Sequence, residues 1–472
     1  MAGIGFVLRR LARRDDLSGG AQAYAAAVAV TSGPWLLTVA AILAVEWWSR
    51  VGLDAAEIGA DFRTILSYNF CFSLVLTSPF AMVASRIAAD RIFAERVESL
   101  GGLFLHALTG ALILQLPPAV VFWWLIAELP PALSAAAVAN YASLVGLWTV
   151  VTFLSVLKDH RLALGAVALG MGVAAVGAVA GKMLGAAAPL SAFTLGATVI
   201  VFVGGGRLLL EFPWVPTAWR ATWNEARRFP DLAFIGLVSA AAPWADKWVM
   251  WLSPWAEVLP SGLHDFPDYD GAMFLAYLTM VPGIALFFVS VETEFFLLYR
   301  LYFDDLLGGA SLSRIERSRR ALVDGVVSSG VSLLLLQSLV AAVVILMGPA
   351  LEALGVVSAA QYPIFRLGVL GALFHTLVLG LMIVLAYLDV RRSQLLVAGG
   401  FLLLNAAVPA VLLPMGEWLY GYGYFLASLG TALGAVAAVF VTLRRLNHHV
   451  FVRNNPSLRP TRAARMVAGD AP

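Results

Sequence analysis

The chain is predicted to be an all-α membrane protein: about twelve transmembrane helices in two parallel-repeat six-helix halves, with both termini cytoplasmic. Three observations carry that expectation. Of the 472 residues, 61% are hydrophobic and only 13% charged, and mean hydropathy is +0.86. Stretches of roughly 20 apolar residues, the length that crosses a bilayer, recur almost end to end. Counted from a cytoplasmic N-terminus, the inner segments hold 26 of the 31 Lys and Arg residues, all except Arg50, Arg63, Lys182, Lys247 and Arg366. That is the positive-inside asymmetry. Lastly, two proline motifs each occur twice, at similar depths in the two halves.

The first half places spans at residues 22–48, 64–85, 101–127, 132–157, 162–184 and 187–210. The second places them at 231–252, 271–295, 321–347, 367–388, 394–413 and 419–443. The chain then divides into a basic cytoplasmic N-terminus (1–20), an N-terminal half (21–210), a cytoplasmic connector (211–230), a C-terminal half (231–443) and a basic cytoplasmic tail (444–472). Arg9, Arg10, Arg13 and Arg14 ahead of the first run resemble the start of a signal peptide. The run is too long for a cleaved segment and many spans follow, so it reads as a retained helix. The connector mixes Trp214, Trp219 and Trp223 with Arg220, Arg227 and Arg228, which suits either a helix at the headgroup boundary or a loop carrying belt aromatics. Gly177 and Gly181, at GxxxG spacing among the Gly- and Ala-rich fourth to sixth spans, favour close helix packing.

Residues 239–248, Ser-Ala-Ala-Ala-Pro-Trp-Ala-Asp-Lys-Trp, stand out within the seventh run. Pro243 removes an internal hydrogen bond and predicts a kinked or broken helix. Pro34-Trp35 in the first run repeats Pro243-Trp244 at a similar depth, and Leu76-Thr77-Ser78-Pro79 resembles Leu278-Thr279-Met280-Val281-Pro282. Pro34, Pro79, Pro243 and Pro282 are therefore candidate helix breaks or hinges, and paired interrupted helices are a transporter signature. Asp246 and Lys247 are costly at membrane depth. Adjacent helical positions do not face one another, so the pair either caps the break and snorkels outward or lines a central pathway.

Glu292 and Glu294 sit at the inner end of the eighth run. Two residues apart on a helix, they point different ways and do not form a glycosidase-type pair. They suit an acidic mouth, a partner contact, or ion pairs with Arg300 or Arg314. His375, central in the tenth run, reads as an interhelical hydrogen bond or a proton relay, and Asn69, Asn140 and Asn405 as interhelical donors. His264, Asp265, Asp268 and Asp270 in the loop before the eighth run offer oxygen ligands for a cation, or simply a solvated acidic loop. Residues 177–183 fail as a phosphate loop, because Val176 stands where its first glycine belongs and Met183 follows Lys182. Cys71 is the only cysteine, which excludes an internal disulfide and any multi-cysteine metal site. No catalytic residue, metal or cofactor is expected.

Met1-Ala2-Gly3-Ile4-Gly5-Phe6, Ser32-Gly33-Pro34-Trp35 and Val291-Glu292-Thr293-Glu294-Phe295-Phe296 with Tyr299-Arg300 resemble the Pel exopolysaccharide inner-membrane transporter family, PelG. That family lies in the polysaccharide-exporter branch of the multidrug/oligosaccharidyl-lipid/polysaccharide (MOP) superfamily. The resemblance covers nearly the whole chain. It implies export of a galactosamine-rich, partly cationic polysaccharide across the bacterial inner membrane in biofilm formation. It also implies a PelF-like cytoplasmic glycosyltransferase and PelD-like and PelE-like membrane partners, with no nucleic acid involved. Asp246, Lys247, Glu292, Glu294 and His375 are the candidate pathway or partner contacts. Two other readings stay open on the residues alone: a cation-coupled drug or lipid-linked oligosaccharide flippase, and an integral-membrane glycosyltransferase or synthase scaffold.

Overall fold

A computed structural model describes residues 24–451 except 26, 30, 51–54, 158–159, 181–184, 186, 213, 216–217 and 449. The expectations for residues 1–20, for Gly181 and Lys182 and for the tail beyond 451 lie outside the described residues. The first half comprises α1 (Gly33–Arg50), α2 (Ala55–Phe93), α3 (Leu100–Val121), α4 (Pro131–Leu157), α5 (His160–Ala180) and α6 (Ala188–Glu211). A connector helix α7 (Trp219–Ala226) leads to α8 (Pro230–Ala241) and α9 (Ala245–Trp251), then to a hairpin of β1 (Glu257–Val258) and β2 (His264–Asp265). The rest is α10 (Pro267–Leu278), α11 (Val281–Ser290), α12 (Phe296–Leu307), α13 (Leu312–Leu346), α14 (Gly348–Ala353), α15 (Gln361–Tyr387), α16 (Arg391–Leu412) and α17 (Tyr422–Arg444).

Among the described residues, ten helices are long and apolar enough to cross a membrane. The two remaining expected spans are the first, with its shorter apolar helix Gly33–Trp47, and the seventh, which is divided. Pro243 does break the seventh span: α8 and α9 meet at a tight turn over Ala242–Trp244. Near Pro34 the first helix shows a single turn residue at Ser32, with the Ser32 amide still bonded to Val28 O and the Leu36 amide to Ser32 O. Pro282 sits in the first turn of α11, after the chain has left α10 at Thr279. Pro79 behaves differently, and the expected break there is absent. It lies inside the unbroken 39-residue α2, so the two proline motifs have diverged in backbone path.

Several helices outrun their apolar stretches. Hydropathy marks the part in lipid, whereas a helix ends where its capping and pairing end. α13 starts nine residues before the apolar run, where Glu316 accepts from Arg319 and Arg320 one turn on. α10 starts at Pro267, with Asp268 and Asp270 in its first turn, the preferred N-terminal chemistry.

Packing repeats between the halves. Spans one and five, two and four, three and four, four and six, and five and six pack together, and the same pairs recur six spans later. The tightest approach in the first half is between α5 and α6. A Cβ on Gly170 would lie 2.4 Å from the Gly196 carbonyl oxygen, so only glycine fits. Gly177, singled out by its spacing, meets nothing closer than ordinary contact with Ala192. The halves themselves meet where α2 crosses α8, and a Cβ on Gly236 would be 2.7 Å from the Ser78 carbonyl oxygen.

Candidate functional site

Between the halves lies a cavity of about 430 Å³. Its walls come from proline-bearing spans: Thr31, Ser32 and Trp35 of the first span, Pro243, Trp244, Lys247 and Trp251 of the seventh, and Asp270, Phe274 and Tyr277 of α10. The two Pro-Trp motifs matched in sequence therefore face one space. Met280, Val281 and Ile284 extend the apolar wall, Ser67 of α2 reaches it, and His375 of α15 closes one side.

The breaks expose backbone carbonyls that a continuous helix would satisfy, and buried side chains from neighbouring spans supply donors. Asn405 Nδ2 donates to Ala242 O at 2.9 Å, and Tyr277 Oη to Pro243 O at 3.2 Å. Gln337 Nε2 donates to Thr279 O at 2.7 Å across the second break. The first half holds its counterpart: Gln115 Nε2 donates to Thr77 Oγ1 at 3.1 Å, so the paired Thr motifs keep a glutamine partner even though only one helix is broken.

Lys247 is almost entirely buried, yet its ammonium borders the cavity. It donates to Tyr277 Oη at 3.3 Å and lies 4.7 Å from the centre of that ring and 5.7 Å from that of Trp244. Asp246 does not line the cavity. It is fully buried, accepting from Tyr269 Oη at 2.7 Å and Asn405 Nδ2 at 3.1 Å, with Lys247 Nζ at 3.9 Å. The carboxylate thus holds the cavity wall from behind, while the ammonium faces inward. His375 Nδ1 bonds to Tyr424 Oη at 2.9 Å and also borders the cavity.

Asp270, read in the sequence as one of the acidic loop residues, lines the cavity from α10 instead. Its Oδ2 accepts from Trp251 Nε1 at 2.7 Å, and its Oδ1 is buried without a protein partner. The Pro267 helix start with acids in the first turn was the signal that would have moved it from loop to helix. The other members of that acidic group scatter. Asp265 accepts from Thr64 and from the Phe266 amide, and Asp268 is exposed. Among the described residues no three His, Cys, Asp or Glu side chains are placed to hold a metal ion.

The halves also touch on either side of the cavity. Toward the basic end, Tyr24 Oη donates to Pro282 O at 3.0 Å, and Ala27 packs on Ala285. Toward the other end, the hairpin reaches over α2. Thr64 donates to Asp265 at 3.0 Å, Tyr68 to the His264 carbonyl at 2.9 Å and Ser261 to Asp61 at 3.1 Å. Tyr68 also stacks on Trp251 with ring centres 4.7 Å apart.

Glu294 is exposed in a widened turn over Val291–Phe295, well toward the basic end from the cavity, and the Glu292 side chain lies outside the described residues. The arginines considered as its partners are engaged by aspartates instead: Arg300 with Asp304 at 3.4 Å and Arg314 with Asp305 at 2.8 Å.

Residues 1–451 match the family described as "PelG: Putative exopolysaccharide Exporter (EPS-E)". The chain belongs to the PelG family. Its fold is that of MOP-superfamily transporters. A MOP transporter from Pyrococcus furiosus, whose binding pocket is described as reversed in polarity, is 16% identical with a TM-score of 0.59, over 89% of this chain and 96% of that one. A multidrug MATE transporter in its outward-facing conformation gives 15%, 0.61, 89% and 96%, and one facing inward gives 14%, 0.57, 89% and 99%. No curated protein matches. At these identities the solved structures speak to fold alone. Family and fold together make this PelG-family chain a multi-pass membrane transporter, not an enzyme, and an inner-membrane location fits an exporter.

Proposed function

We propose that this chain exports a galactosamine-rich, Pel-type polysaccharide across the inner membrane, taking it from a cytoplasmic PelF-like glycosyltransferase beside PelD-like and PelE-like membrane partners. The observation that carries the reading is the cavity: Trp35 and Trp244, each next to a proline, face one another's half with Lys247 and Asp270 between apolar walls. Flat aromatic faces with a few fixed polar groups suit the alternating apolar and hydroxylated faces of sugar rings. The volume fits a short segment rather than a long polymer, so passage is stepwise. Glu292 and Glu294 serve at the cytoplasmic mouth, where negative charge draws a polymer with free amines.

Secreted and retained amino-sugar polymer would be measured in cells lacking the protein and complemented with Trp35→Ala, Trp244→Ala or the Glu292→Gln/Glu294→Gln pair. Export should fall roughly tenfold for the Trp pair combined, a loss of about 1.4 kcal/mol in the passage step, with polymer or precursor retained inside and protein level unchanged. Normal secretion by the Trp pair would remove the cavity from the pathway. Loss of both secreted and retained polymer would instead assign a scaffolding role.

A further inference from the structure

The connector between the halves carries an exposed surface away from the cavity. α7 has one face against the bundle: Glu225 accepts from Arg91 Nη2 at 2.8 Å, and Thr222 Oγ1 bonds to His106 Nδ1 at 2.9 Å. Trp219 lies edge-on to His106 with ring centres 4.9 Å apart, and it would touch a Cβ placed on Gly110. Gly110 is ten residues into α3, about 15 Å along a helix at 1.5 Å per residue. The connector helix therefore lies along the flank of the bundle rather than above its end.

Helical spacing orders its other faces. Trp219 and Trp223, one turn apart, share one edge, and each is more than two-fifths exposed. Ala221 and Arg228 are exposed on the opposite edge, and Arg220 and Arg227 point away from the bundle between them. The Arg227 guanidinium sits 5.1 Å from the Trp223 ring. Exposed indoles on one edge beside outward-facing guanidinium groups form an amphipathic surface of the kind that binds at the headgroup boundary.

We propose that α7 is a binding surface for anionic phospholipid, with Trp219 and Trp223 in the headgroup–acyl boundary and Arg220 and Arg227 on lipid phosphate. Flank position, an apolar edge beside a basic face, and continuity with two membrane helices favour lipid over a soluble protein. Because Arg91 and His106 tie α7 to the first half, bound lipid holds that half at a fixed depth while the second half moves.

The test uses the full-length protein in nanodiscs, on a Cys71→Ser background, with spin labels at Trp223→Cys or Ala221→Cys. The label at 223 should be reached by oxygen and shielded from a water-soluble nickel chelate, and the label at 221 should show the reverse. Native mass spectrometry should find phosphatidylglycerol retained in preference to phosphatidylcholine, with several-fold less retained by Arg220→Gln/Arg227→Gln. Equal nickel access at both labels would overturn the proposal. So would equal retention of the two lipids, or shielding that arises only when the other synthase components are added, which would mark a protein-docking surface instead.

Discussion

At the scale of single residues, the neighbouring charges of the seventh span pair at 3.9 Å yet take different tasks, because only one of them borders the cavity. Asp246 is a structural acceptor for two buried donors, and Lys247 is the ammonium presented to the cavity. Asp246→Leu leaves Tyr269 and Asn405 without that acceptor, at about 1–3 kcal/mol for each stranded donor. Thermal unfolding in detergent should therefore drop clearly for Asp246→Leu and much less for Asp246→Asn, which keeps an acceptor oxygen; equal drops would show that the carboxylate's charge, not its acceptor geometry, is what matters. Gln337 poses the same problem at the second break. Its Nε2 is the donor to Thr279 O, and Gln337→Leu should destabilise by a similar 1–3 kcal/mol in the same assay.

At the scale of the element, the breaks are held by tertiary donors as well as by proline. Pro243→Ala restores an amide able to continue the helix and removes the residue least favourable in a helix interior, by about 3 kcal/mol relative to alanine. The protein should accumulate at normal or higher level while secretion falls, because a straightened span would move Trp244 and Lys247 off the cavity. Secretion as in the wild type would show that the donors from Asn405 and Tyr277 keep the break without proline. The hairpin is the other element that bridges the halves, since four polar contacts and one ring stack join residues 251–265 to the first half. A disulfide between Thr64→Cys and Asp265→Cys, with Cys71→Ser, should halt secretion under oxidising conditions and release it on reduction. Unchanged secretion by the oxidised protein would mean that this end does not open during transport.

At the scale of the whole molecule, two similar packing patterns meet along α2 and α8, with Gly236 at the closest point. Gly236→Val has no room against the Ser78 carbonyl and should lower the unfolding temperature and the secreted polymer together. Val on the open side of α5 at Gly172, where a Cβ meets nothing within 4 Å, is the control. Strong loss from both would trace the effect to helix propensity rather than to the interface.

Apolar length and charge placement determined membrane residence and the twelve-span reading, since bilayer thickness sets the period and no long-range contact is needed to see it. Proline chemistry likewise marked the breaks at Pro243 and Pro282, because a missing amide is a local fact. Pro79 shows where local reasoning ends: its helix runs on unbroken from Ala55 to Phe93. The cavity was only half legible. The repeated Pro-Trp motif pointed to corresponding helices, but not to their shared space. Asp270 turning inward, Asp246 staying outside the cavity lining and the hairpin folding over α2 depend on which helices become neighbours. That choice is made by small-residue contacts such as Gly170 on Gly196 and Gly236 on α2, and only the tertiary structure fixes it, because close packing joins residues far apart in the chain.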